Sequence, residues 1–275
     1  MLFKSAAVAS LIAGAAALMP CLAPPLTEED MARFEAIAEM EANSTISSFA
    51  DAASRATIYV DTYVHVVASS QDVSDGYLSR DTIEKQMDVL NADFSSAGFQ
   101  YVLKDIDWTV NSNWAYDNDE MGMKRKLRRG PYSALNLYFI TDIGNGNTGH
   151  CYYPTNAPEG STYFTRDGCV MSSWTTPGGG SRFSLGRITT HEVGHWSGLI
   201  HTFEGNDCNG YGDYVDDTPS QSGPSSGCPT GRDSCPSPGL DPIHNHMDYT
   251  DDSCRTEFTP QQIQRMTSMW NTYRS

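Results

Sequence analysis

The chain predicts an α/β fold: a twisted, mostly parallel sheet with long helices, followed by an irregular, disulfide-rich stretch that ends in one more helix. Three observations carry this. Between Thr57 and Ile140, runs of β-branched and aromatic residues alternate with helical patterns, the order that builds parallel sheets. From Glu204 to Asn245 the chain is Gly, Pro, Ser and Asp without periodicity, too long for an unstapled loop in a compact domain. Cys208, Cys228 and Cys235 lie in that stretch and Cys254 just beyond it, so the staples are present.

In chain order, Lys4, the apolar run Ala6 to Leu18 and an Ala15-Ala16-Ala17 cleavage pattern predict a signal peptide over residues 1–18. The run is short for a membrane span. Thr27 is placed to cap a helix running to about Glu41, with acids in its first turn and Met31, Phe34 and Ile37 or Ala38 at helical spacing. Asn43-Ser44-Thr45 is an N-glycosylation acceptor at Asn43. Ser44 to Arg55 is small and polar, a linker. Residues 19–55 have two readings: the first helix of the main domain, or a pro-segment removed near Arg55, which leaves residues 56–275 as the main domain.

Ile58 to Val67 reads as a largely buried strand in which His65 is a sheet residue. Ser79 to Ala97 is a helix with Ile83, Met87, Leu90 and Phe94 as its apolar stripe and Gly98 as its stop. Phe99 to Val110 is a second strand. Asp119 to Arg129 is a polar helix whose basic end, Lys124 to Arg129, is expected to face solvent. Ala134 to Ile140 and Cys169 to Met171 are further strands. Pro177 to Gly180 is a loop into the next helix, for which Ser184 is the expected N-cap and Thr189, Val193, Trp196 and Ile200 the stripe facing the sheet. Thr259 caps a last helix to about Trp270.

The chemistry is written between His191 and His201, as H-E-x-x-H-x-x-G-x-x-H. On a helix, His191 and His195 lie one above the other on one face and can grip one zinc ion. Glu192 stands beside them, placed to take a proton from water. Six residues past His195 is six times roughly 100°, away from the metal face. The helix must therefore break, and Gly198 is the residue that can break it, letting His201 return as third ligand. Three protein ligands leave a position open, as catalytic zinc sites do. With 23 Gly and 7 His in 275 residues, requiring the added Gly and His cuts chance matches by roughly 500-fold.

This signature, with His244-Asn245-His246-Met247-Asp248-Tyr249 downstream as a Met-turn, resembles the metzincin zinc proteases. Asp217-Thr218-Pro219, Gly239 to Tyr249 and Phe258-Thr259-Pro260-Gln261-Gln262 are similar to the pappalysin branch, and the whole resembles its secreted extracellular metalloproteases. The resemblance is dense from about Phe183 to Trp270. It implies a metzincin arrangement, with the sheet and long helices in an upper subdomain, an irregular lower subdomain and a substrate cleft between them over zinc. It implies a secreted zinc endopeptidase with Glu192 as general base, Met247 as an apolar floor under the histidines and Tyr249 on the oxyanion, a packed Tyr249 being the alternative. It implies an antiparallel edge strand that pairs with extended protein or peptide substrate, which chain order alone puts at His150 to Tyr153; with three ligands already assigned, His246 comes no closer to the metal than through one of them. Six cysteines allow 15 pairings; the resemblance implies Cys208–Cys235 and Cys228–Cys254, leaving Cys151–Cys169. Cys21 stands apart: under the pro-segment reading its thiolate could cap the zinc, against which stands the commoner case of a cysteine lost with the signal or simply unpaired. The resemblance also suggests calcium around Asp213, Asp216, Asp217 and Thr218, against which stands a solvated turn.

A formal net charge of −16 argues against nucleic acid or an anionic membrane as partner. The rival readings are a secreted zinc-binding module that is catalytically restricted or inactive, against which Glu192 speaks, and a zinc hydrolase of non-peptide substrates.

Overall fold

The structure, a computed structural model, describes residues 21–43 and 56–275. The expected signal peptide, the linker and the cleavage point near Arg55 lie outside the described residues. The body is built on five strands: β1 (Ile58–Ala68), β2 (Phe99–Val110), β3 (Leu135–Ile140), β4 (Gly149–Cys151) and β5 (Cys169–Ser172). Their order is β2-β1-β3-β5-β4. All pairs are parallel except β4 with β5, so β4 is an antiparallel edge strand.

Both faces of the sheet are covered, as parallel sheets require. On one lie α2 (Arg80–Asp93) and α6 (Arg187–Trp196), packing Ile83, Leu90, Val193 and Trp196 onto Val64, Val66, Leu137 and Phe139. On the other lie the short α3 (Ser112–Ala115) and α4 (Glu120–Leu127), with Met123 against Val67, Tyr138 and Val170. His65 is a buried sheet residue held between Asp107 (2.8 Å) and Asn136 (3.0 Å). Of the basic end of α4, Arg125, Lys126 and Arg129 are exposed as expected, and Lys124 departs from that face. Lys124 is fully buried, donating to the carbonyls of Arg166 and Gly168 and pairing with Glu120 at 2.8 Å. A buried ammonium is tolerable only with such partners: Glu120 lies one turn back on α4, and the two carbonyls come from the end of α5 (Thr162–Arg166) and the turn beyond it, far along the chain.

From Ser197 to Phe258 the described chain holds one 3-10 turn, Glu204–Asn206, and no α-helix or strand. Disulfides Cys208–Cys235 and Cys228–Cys254 staple it, and Cys151–Cys169 ties β4 to β5. α7 (Pro260–Tyr273) closes the chain, opened by a Thr259–Gln262 capping box. The penultimate residue, Arg274, is buried, pairing with Asp167 and donating to the Trp196 carbonyl at 3.0 Å.

α1 (Glu28–Ala42) begins at a Thr27–Asp30 capping box and packs across α7. It buries Phe34 and Ile37 against Tyr153, Ile200 and Met269, while Met31 stays exposed. Glu41 accepts from the buried Arg265 at 3.0 Å. Asn43 is exposed at the C-terminus of α1, its side-chain amide donating to Glu39 O.

Candidate active site

α6 carries the first two histidines, and both its ends are fixed from outside the helix. Its N-cap is Gly186, not Ser184; Ser184 instead closes a local turn with Ser181. The carboxylate of Asp252 accepts from Leu185 N (2.9 Å) and Arg187 N (3.3 Å), bringing negative charge to the helix N-terminus from 65 residues away. At the other end, Gly198 stands at φ +95°. Leu199 N donates to Gly194 O and Gly198 N to His195 O, both at 2.9 Å, the paired bonds of a Schellman stop. The chain then reverses and delivers His201.

The three imidazoles converge. His195 Nε2 and His201 Nε2 are 3.2 Å apart, and the rings lie 4.6 to 5.2 Å from one another. His191 Nδ1 donates to the His246 carbonyl (2.7 Å) and His195 Nδ1 to the Leu199 carbonyl (2.8 Å), which turns each Nε2 inward. His246 thus reaches the site through its backbone. Burial, reinforced by the neighbouring imidazoles, pushes His191 and His195 well below the usual histidine range, into the neutral form that binds metal. His191 Nε2 is buried without a partner. Cys21 Sγ completes the group: one donor atom from each of Cys21, His191, His195 and His201 lies within 4.8 Å of every other. Such a set of buried nitrogens and sulfur fits zinc.

Glu192 is fully buried, and burial pushes its carboxyl up to about 8. It lies across Gly149 of β4, where any side chain would collide with it. Oε1 has no partner, while Oε2 is 3.5 Å from Cys21 Sγ. Tyr249 OH sits 3.2 Å from His201 Nε2 and donates to the Cys21 carbonyl at 3.2 Å. Met247 is buried directly against Gly194 of α6, on the inner side of the helix. A cleft of about 440 Å³ opens in front, walled by Tyr153, Arg182, Phe203, Glu204 and Tyr249 and, on the segment's side, by Ala23 to Pro25.

The calcium candidates do not gather. Asp213 is buried, bonded through Oδ1 to Thr218 Oγ1 and Val215 N, with Oδ2 unpartnered. Asp217 uses both oxygens on Thr259 Oγ1 and Gln261 N at the start of α7, and Asp216 faces solvent. Sequence reasoning missed Asp252 as the anchor of α6, Tyr153 as the ring edge-on to His195 at 5.5 Å, and Arg274 as the lock on the helix end. All three act over long separations that no local pattern records.

Residues 127–271 match the sequence model of Peptidase M43, described as pregnancy-associated plasma protein-A. An extracellular metalloprotease of Pyricularia oryzae is 53% identical over 93% of this chain and 89% of its own. The chain belongs to the M43, or pappalysin, family of metalloproteases. Extracellular metalloprotease 1 of Coccidioides posadasii is 52% identical over 88% of this chain and 87% of its own. Among solved pappalysin-like structures, Tannerella forsythia mature mirolysin in complex with a cleaved peptide superposes with a TM-score of 0.65 at 27% identity, covering 79% of this chain and 93% of mirolysin. A promirolysin mutant superposes at 0.71 with 25% identity, covering 89% and 88%. The metzincin fold and the protease activity expected from the motifs agree with these relatives. Among the described residues no helix is long and apolar enough to cross a membrane.

Proposed function

We propose that this metalloprotease is a secreted zinc endopeptidase held latent by its N-terminal segment. The observation that carries the reading is one residue in contact with the whole machinery. Cys21 places Sγ 3.5 Å from His195 Nε2 and 3.5 Å from Glu192 Oε2, and its carbonyl accepts from Tyr249 OH. Secretion is supported by the relatives named extracellular and by three disulfides, which persist in oxidising compartments. The pro-segment reading of residues 19–55, with 56–275 as catalytic domain, is supported by the greater share of the chain that matches promirolysin than mature mirolysin.

His191, His195 and His201 hold the zinc. Bound there, zinc supplies a Lewis acid for the scissile carbonyl and lowers the pKa of water toward ~7. Glu192 takes the proton of the attacking water and passes it to the leaving amine. The Tyr249 hydroxyl donates to the developing oxyanion. Extended protein or peptide substrate adds to the exposed edge of β4, whose Gly149 carbonyl now accepts from Leu22 N at 2.8 Å. Calcium, if bound, has Asp213 Oδ2 as its anchor.

The test is casein or gelatin hydrolysis by the purified secreted protein. Activity abolished by 1,10-phenanthroline and restored by zinc is the expected result. Stoichiometric zinc without hydrolysis, in protein whose mass shows residues 21–43 removed, would favour a binding module instead.

A further inference from the structure

Phe34 fills a slot that belongs to the body of the protein. Tyr153 meets its ring edge-on at 5.5 Å, Tyr214 stacks on it at 6.2 Å, and Ile200 and Met269 close the cluster. Phe34 is 1% exposed there. The slot adjoins the metal centre, because Tyr153 is itself edge-on to His195 at 5.5 Å. It is also continuous with the cleft. From Cys21, the chain passes through Ala23, Pro24 and Pro25 along the cleft and reaches Leu26, which packs on the same cluster. Tyr214 holds φ +58°, a conformation a tyrosine adopts only where its surroundings fix it. Tyr211 stacks on its outer side at 5.7 Å. When the N-terminal segment leaves, the Tyr214 ring, backed by Tyr211, and Tyr153 face an empty aromatic-sized space.

We propose that this slot then receives an aromatic side chain of the substrate, about three residues to the amino-terminal side of the bond that is cut. The inference rests on the removal of the segment proposed above. The side follows from strand direction. β4 runs from Gly149 toward Tyr153, and the segment bridges it in parallel at Cys21 and Gly149. A substrate in the antiparallel register, the more stable ladder, runs the other way and brings its amino-terminal half to Tyr153. Phe34 and His195 each lie 5.5 Å from the Tyr153 ring, so at most two such spacings part them, which extended chain covers in about three residues at roughly 3.3 Å each.

The experiment uses the secreted full-length protein after its own processing, with the mass of the active species recorded. Paired peptides carrying Phe or Ala at the third or fourth position before the cut are compared. The expected ratio of kcat/KM is about tenfold in favour of Phe, from ring burial and stacking, and Tyr214→Ala brings the ratio below about threefold. Equal cleavage of the pair, or an undiminished ratio in Tyr214→Ala, overturns the slot while leaving latency intact. An active species that still carries residues 21–43 overturns the latency reading instead, and the slot with it. A measurement that leaves the body unmutated uses a synthetic peptide of residues 21–43 as inhibitor of the processed enzyme. Phe34→Ala is expected to weaken it about tenfold and Phe34→Tyr much less; equal potency of the three peptides overturns the slot.

Discussion

The body, residues 56–275, and the N-terminal segment, residues 21–43, meet at the same three histidines and are held there by different means. On the body side, α6 is packed into the main core, its N-terminus is held by Asp252, its C-terminal turn by Arg274, and the loop that follows by two disulfides. The segment contributes one backbone hydrogen bond from Leu22 to β4, the buried pair Phe34 and Ile37, the Glu41–Arg265 ion pair and Cys21 itself. Apart from that one bond at the edge strand these are side-chain contacts, and none lies between strands of the sheet. The difference teaches that one face of the site is locked by the main core and by long-range partners and the other rests on a few contacts, which under the proposed latency is the face that leaves.

Four changes sharpen or break that comparison. The largest effect belongs to the body. Glu192→Gln keeps the size of the side chain and removes the base, so activity of the processed enzyme should fall about 1,000-fold while zinc content by mass spectrometry stays at one ion per chain; activity near wild type would remove Glu192 from its role. Next comes the segment. Cys21→Ala should raise hydrolysis by the untrimmed chain at least about tenfold, the effect of ~1.4 kcal/mol of lost capping. An untrimmed variant as silent as wild type would mean that the segment blocks by bulk and not through its thiol. Third, Phe34→Ala should loosen α1 by about 3 kcal/mol, seen as faster hydrogen exchange across Glu28–Ala42 with the melting temperature of the body unchanged. If both change in step, the segment is an integral part of the body.

The smallest effect is pH-dependent. Burial raises Asp213 from 3.8 to about 7, so the folded state binds a proton there more tightly than the unfolded chain. Its contribution to stability is therefore complete below pH 3.8 and is lost as pH rises through about 7. Asp213→Asn should flatten this fall in a melting-temperature series from pH 4 to pH 8. Calcium should restore wild-type stability at the upper end if the Asp213 oxygen anchors it, and should leave the variant unmoved.

Much of the site was legible because it is local. The four-residue spacing of His191 and His195 fixes their shared face, and Gly198 at φ +95° provides the break that returns His201. Helix starts at Thr27 and Thr259 were legible from the residue type at the N-cap, and the structure completes each as a capping box. The family resemblance implied the three cysteine pairs that the structure joins. What failed was long-range. Ser184 has the residue type of an N-cap, but Asp252 arrives from another part of the chain and takes the task. Lys124 carries a charge that belongs in water, yet carbonyls of Arg166 and Gly168 and the Glu120 carboxylate satisfy it in the interior. Asp217 suits a cation and instead caps α7.

By itself, the sequence determined the alternation of strands and helices, the metal-binding helix and the turn that ends it, because each depends on dihedral preferences and periodicities within a few residues. The tertiary structure decided the strand order, the partners of the buried charges, the use of Asp217 at the start of α7 and the meeting of Cys21 with Glu192, 171 residues apart. Those depend on which distant groups pair when water is excluded, and burial makes the pairing obligatory: a buried charge or donor must find whatever partner the fold brings to it.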